Sequence, residues 1–478
     1  MRESHLPATL SALVSSALLR TTIGLLAFVL LTTGCTKEQS SSETQPSSRS
    51  SDGKDGHSDR ELVEAIRRGN GQHEGDPAFA RLIGHVDRLQ GKLTFDKEGR
   101  LVGIDLASGR VSASDADLTD LAAAKRLRKL LLSGAGITSR TIDNVLPLHD
   151  IEELTLQDTQ ILDEDLERLA TLPKLKILNL RSARLSDKGL EALRRAPKLR
   201  QLHLTNNAFS DAAMSTISRM EDIELIDLRS CSEITDVGIA QLASLPRLRV
   251  LRLGSDQIND QTLQVLNRFK TLDALSLEDA NITDEGLSKL QGPSIKELSL
   301  ARCFMVTDDG MKTIATLPKL ERLYLRDMGI TDDGIISLSA NDNLRANLRA
   351  VRLLDIMTGD RAAAALARLP RLASLHLRQA LISAEGLGEL ARSPSLRELV
   401  VDDSGVDDQG VKMLAGLKDL RSLSLRDNPA VTDGSIDYLA TMASLKRVDL
   451  RGTAVTPEGL SRLRSARPDI ECLAPGLP

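Results

Sequence analysis

Aromatic side chains are scarce in this 478-residue chain, which has no Trp, two Tyr and six Phe, 2% of all residues. Without rings, a core for a chain of this length has to be assembled from aliphatic side chains at regular spacing. Cysteine is scarce as well: four residues, with no CxxC pair, exclude a disulfide framework and a thiolate metal site. Basic and acidic residues nearly balance, 62 against 67 for a net charge of -5, which argues against nucleic acid as a partner. HExxH, GxSxG, P-loop and dinucleotide-glycine patterns are all missing, so no catalysis, cofactor or metal is expected.

The longest apolar run, residues 21–31 (TTIGLLAFVLL), follows Arg20 and precedes Thr32-Thr33-Gly34-Cys35. Roughly twenty residues are needed to span a bilayer as a helix, so an eleven-residue run reads as a secretory signal. It looks like a bacterial lipoprotein signal, which implies cleavage before Cys35, lipidation of that residue, and an address in the cell envelope, periplasmic or at the surface. Thr32, three before the Cys, departs from the aliphatic residue such signals prefer. Residues 36–59 carry Ser, Gly and charge with no apolar side chain and are expected to form a flexible tether.

From Leu101 the pattern LxxLxL recurs, its units starting at Leu127, Ile151, Leu175, Leu199 and onward to Leu445, almost always 23 to 25 residues apart. The last two apolar positions alternate with a polar one, placing both on one face of a short strand. Later in each unit stands a run such as Ile282-Thr283-Asp284-Glu285-Gly286-Leu287, where Thr or Asp caps a short helix and Asp adds first-turn negative charge. Pro173, Pro318 and Pro370 each stand two residues before a strand, where they stop the helix. Residues 60–68 and 77–89 read as short helices and 92–106 as a hairpin, together an N-terminal cap over residues 60–100. Repeats then fill 101–469, and residues 470–478 begin a sixteenth unit that closes the C-terminal end.

The period and both half-patterns resemble leucine-rich repeats of the cysteine-containing, ribonuclease-inhibitor-like subclass, as found in bacterial envelope proteins and in F-box adaptors. The resemblance covers Leu101 to about Pro478 and implies an α/β horseshoe solenoid of about fifteen repeats. Its parallel strands would line the concave face and its short helices the convex one. It also implies recognition of a protein. No F-box-like helical segment precedes the repeats, so a ubiquitin-ligase-adaptor role rests on repeat similarity alone. Cys231 and Cys303 occupy the position where this subclass turns Cys or Asn against backbone, as do Asn207 and Asn428. Three repeats apart, the two thiols would be about 14 Å from each other at strand spacing, too far for a disulfide.

Twelve positions directly after LxL define a solvent-facing column, and six are Arg: Arg181, Arg229, Arg326, Arg378, Arg426 and Arg451. Asp402 between Arg378 and Arg426 suggests a cross-strand ion-pair ladder. The sharpest cluster is Arg322, Tyr324, Arg326, Arg352, His376 and Arg378, cations on three neighbouring strands with no carboxylate among them. It is expected to bind a protein or an acidic envelope polymer. It adjoins the one irregular unit, 28 residues from Leu320 to Leu348, after which residues 356–366 lose the Thr-Asp-x-Gly run. His203 and His376 stand seven repeats apart and cannot share a metal. The reading is a monomeric, lipid-tethered binding scaffold; a structural envelope component without a ligand is the alternative, and an enzyme would have only His73, His85 and a few acids in the cap.

Overall fold

The computed structural model describes residues 76–474 except 184, 292 and 293. The signal-like segment, Cys35, the tether, the 60–68 helix and the last four residues lie outside the described residues. Among those described, seventeen strands form one sheet. The first pair, Lys92–Phe95 with Leu101–Asp105, is antiparallel, and from there each strand pairs in parallel with the next, up to Glu471–Leu473. A helix or 3-10 turn follows each parallel strand but the last. No helix among the described residues is long and apolar enough to cross a membrane.

Strand alternation separates two faces. In Arg322–Arg326, Leu323 and Leu325 are buried, whereas Arg322, Tyr324 and Arg326 are partly exposed on the other side. The helices contribute their own apolar stripe to that core: in Asp308–Ile314, Met311 and Ile314 are buried. One continuous aliphatic cluster therefore runs from Phe79 to Ala474 between the sheet and the helices.

The Thr-Asp-x-Gly run joins repeats as well as starting helices. Thr283 caps the helix Asp284–Ser288 by accepting from the Gly286 amide at 3.2 Å. Its own amide and hydroxyl donate to Asp260 of the preceding repeat, at 2.8 and 2.7 Å. Asp284 receives Thr307 in the same way, and Asp308 receives Thr331. A Cβ on Gly286, Gly310 or Gly334 would overlap the incoming carboxylate of Asp260, Asp284 or Asp308. The glycine makes room for the neighbour's Asp, and each repeat thereby fixes the cap of the next.

Buried polar side chains complete the backbone pairing at strand ends. Asn207 donates to the carbonyls of Leu180 and Leu204 at 2.8 and 2.9 Å and accepts from the Ala183 amide at 3.1 Å, and Asn428 does the same between Val401, Leu425 and Ser404. Cys231 and Cys303 take this position with Sγ toward the Leu204 and Leu277 carbonyls, 3.2 and 3.7 Å away. Both thiols are free and buried, and burial pushes each up to about 11.

The ends are closed differently. The helix Pro77–Arg88 buries Phe79, Leu82, Ile83 and Val86 over the first repeat, and His85 Nδ1 lies 2.9 Å from the Asp117 carbonyl. At the far end Arg467 donates to the carbonyls of Met442 and Leu445, at 2.8 and 2.9 Å.

The irregular unit keeps its surplus out of the sheet. Its additional residues form a helix, Asp342–Asn347, following Asp332–Ala340, with Leu344 and Leu348 buried in the core. Strand pairing passes it without a shift, Arg322 to Ala350 and Tyr324 to Arg352. The insertion is absorbed on the helical side and leaves the neighbouring sheet face regular.

Candidate protein-binding face

Register brings the six candidate residues onto three adjacent strands. Tyr324 pairs with Arg352 and Arg352 with His376 along the middle row, while Arg326, Leu354 and Arg378 share the next. The Arg352 guanidinium stacks over the Tyr324 ring, 5.0 Å from its centroid, a favourable contact between a cation and an aromatic face.

The face is not an uncompensated cationic patch. Arg322 Nε pairs with Glu297 at 2.6 Å, Arg326 with Glu278 at 3.1 Å, and Arg378 with Asp355 at 3.8 Å. His376 Nε2 lies 3.3 Å from Glu398 Oε1. That contact, with a hydrogen bond from Ser374, holds the Glu398 carboxyl down to about 2. Arg352 makes no ion pair among the described residues; its guanidinium stacks on the Tyr324 ring, and its charge also helps to hold the Glu398 carboxyl down. Burial raises the Tyr324 hydroxyl above its ordinary value, so the ring stays neutral at physiological pH.

Glu278 explains where the cations went. It accepts Arg229 at 3.1 Å, Arg302 at 2.6 Å and Arg326 at 3.1 Å. Arg229 and Arg326 each stand two strands away from it, across Gly254 and Ala301. Those two small residues leave space for the long side chains to lie flat. Burial alone would push Glu278 up, and the Arg302 and Arg229 guanidiniums outweigh it. The proposed ladder at Asp402 does not form: Arg378 turns to Asp355, Arg426 to Asp427 at 3.0 Å, and Asp402 accepts the Ser424 hydroxyl at 2.6 Å. Burial leaves Asp402 with a raised pKa.

A second polar cluster escaped the sequence reading. Asp227, 1% exposed, takes a bidentate pair from Arg229 at 2.8 and 2.9 Å, with Arg252 at 3.5 Å and His203 at 3.7 Å. Burial opposes its charge, but these partners hold the carboxyl well below its usual range. The available signal was three successive middle-row positions, His203, Asp227 and Arg252, carrying opposite charges at repeat spacing.

Sheet register, aliphatic core and repeated caps together define an α/β solenoid of leucine-rich repeats. Residues 171–193, 195–218, 270–290 and 392–415 match the family described as Leucine Rich repeat. No curated protein gives a significant match. Similar solved structures include an internalin from Listeria monocytogenes, 19% identical with a TM-score of 0.32, covering 84% of this chain and 96% of that one. A leucine-rich repeat protein from Leptospira interrogans is 18% identical with a TM-score of 0.39, covering 76% and 94%. The Rad7 and Elc1 complex of yeast contributes a chain 19% identical with a TM-score of 0.46, covering 80% and 95%.

Proposed function

We propose that this chain is a non-catalytic scaffold, lipid-anchored through Cys35 in a bacterial envelope, that binds a protein on the solvent face of its sheet. The observation that carries the reading is the stacked Arg352–Tyr324 pair among the ion-paired side chains of three adjacent strands. Arg and Tyr are the residue types that anchor interfaces, and surrounding them with satisfied ion pairs limits the desolvation cost of binding. Because Arg322, Arg326, Arg378 and His376 already face carboxylates, a shaped protein surface suits the face better than an acidic polymer.

Two experiments test the two halves. Full-length protein carrying Arg352→Ala and Arg378→Ala should hold a partner captured by the native protein at least about tenfold more weakly. Equal affinity removes the face from consideration, and recovery of only self-associated chain supports a structural envelope component instead. For the anchor, Cys35→Ser should move the protein from the detergent phase to the aqueous phase on Triton X-114 partitioning; retention in detergent refutes lipidation at that residue.

A further inference from the structure

The turns that leave the strands carry large exposed apolar side chains in one stretch of the array. Phe304 is 65% exposed, Met305 47%, Met357 72% and Leu381 63%. They occupy corresponding turns in three of four consecutive repeats, the remaining one holding Gly329, which has open space around it. The Leu381 amide donates to the Thr358 carbonyl at 2.8 Å, fixing the last two turns side by side. Earlier repeats place Gln160, Gln257 and Asn281 there, so the apolar character is local. At about 4.8 Å per repeat the strip is roughly 15 Å long, the length of nearly three helical turns.

Carboxylates flank it on both sides. Toward the sheet stand Asp279, Asp327, Asp355 and Asp403, each in the left-handed conformation that ends a strand. Toward the helices stand Glu285, Asp309, Asp333 and Glu385, in first turns. Five of these eight carboxylates already meet a cation: Asp279 meets Arg302 at 2.6 Å, Asp333 meets Arg361 at 2.6 Å, Glu285 meets Lys289 at 2.8 Å, Asp309 meets Lys312 at 2.5 Å and Asp355 meets Arg378 at 3.8 Å, which leaves Asp403, Glu385 and Asp327 without an ion pair among the described residues.

From this arrangement we infer that the edge bearing Phe304, Met305, Met357 and Leu381 docks an amphipathic, Lys- or Arg-rich helical segment of a partner protein. Apolar side chains of the segment cover the strip, and its flanking cations meet Asp327 and Asp403 on one side and Glu385 on the other, the exposed carboxylates without an ion pair among the described residues. The inference rests on the scaffold reading but uses a different surface from the Arg352–Tyr324 face.

The probe is a labelled 18-residue helical peptide of Leu and Lys, its leucines on one face, titrated against full-length protein by fluorescence anisotropy. Binding should weaken at least tenfold with the matching Leu and Glu peptide, and at least tenfold with Met357→Ser/Leu381→Ser, whose side chains are exposed and whose thermal melt should match the native protein. Asp327→Asn should cost twofold to threefold and flatten the salt dependence. Arg352→Ala should leave peptide affinity unchanged, which separates this edge from the sheet face. Absence of binding, equal affinity for the two peptides, equal affinity of the double-serine variant, or loss on Arg352→Ala overturns the inference.

Discussion

Replacing Gly286 by Ala is expected to destabilise the repeat around it by about 2 kcal/mol, and replacing Asp260 by Ala to do the same. The two changes should not add. A Cβ on Gly286 claims the space of the Asp260 carboxylate, so that side chain must swing out and release the Thr283 amide and hydroxyl. Removing the carboxylate loses the same two bonds and leaves room for the extra methyl. The double variant should therefore be no less stable than either single one, a coupling of roughly 2 kcal/mol in a double-mutant cycle. Because a solenoid unfolds in units that feel their neighbours, the sensitive readout is native-state hydrogen exchange over residues 283–290. Additive losses would show that Gly286 is there for its backbone and not for Asp260.

This coupling marks where sequence reading reaches its limit. The aliphatic register, the unpaired thiols, the hairpin before the first strand and the strand in the last unit were legible, because each depends on residues close in sequence or on a period of 24. Asp260 looks from sequence like an ordinary first-turn acid of its own helix; its real partner, Thr283, is 23 residues on, and only the stacking geometry sets that distance. The carboxylate partners of the Arg322–Arg378 cluster were missed for a related reason. Arg229 reaches Glu278 across 49 residues and Arg326 reaches it across 48, two strands in each case. Counting charges on adjacent strands misses a guanidinium laid across a small neighbour, though Gly254 and Ala301 on either side of Glu278 were visible hints. The 28-residue unit was recognised as irregular, but which layer would absorb the surplus depended on Leu344 and Leu348 finding the core.

Asp227→Asn should lower stability at neutral pH by about 3 kcal/mol, toward the lower end for breaking a buried ion pair because Arg229 and Arg252 keep some solvent. The amide keeps the shape and loses the charge, leaving two guanidiniums and His203 facing each other around a neutral group. The pH dependence identifies the cause. The native carboxyl ionises well below its usual range, whereas in the unfolded chain it titrates near 4. A depressed folded value means that its stabilisation is complete above about pH 4 to 5 and is lost as the pH falls further. Native and variant stability curves from urea titration should therefore run parallel between pH 7 and pH 5 and converge below pH 4. A gap that persists in acid would assign the loss to packing or hydrogen-bond geometry. A gap absent at pH 7 would mean that the sheet face tolerates Arg229 and Arg252 side by side without the buried Asp227 carboxylate, and that this ion pair does not hold the proposed binding surface in place.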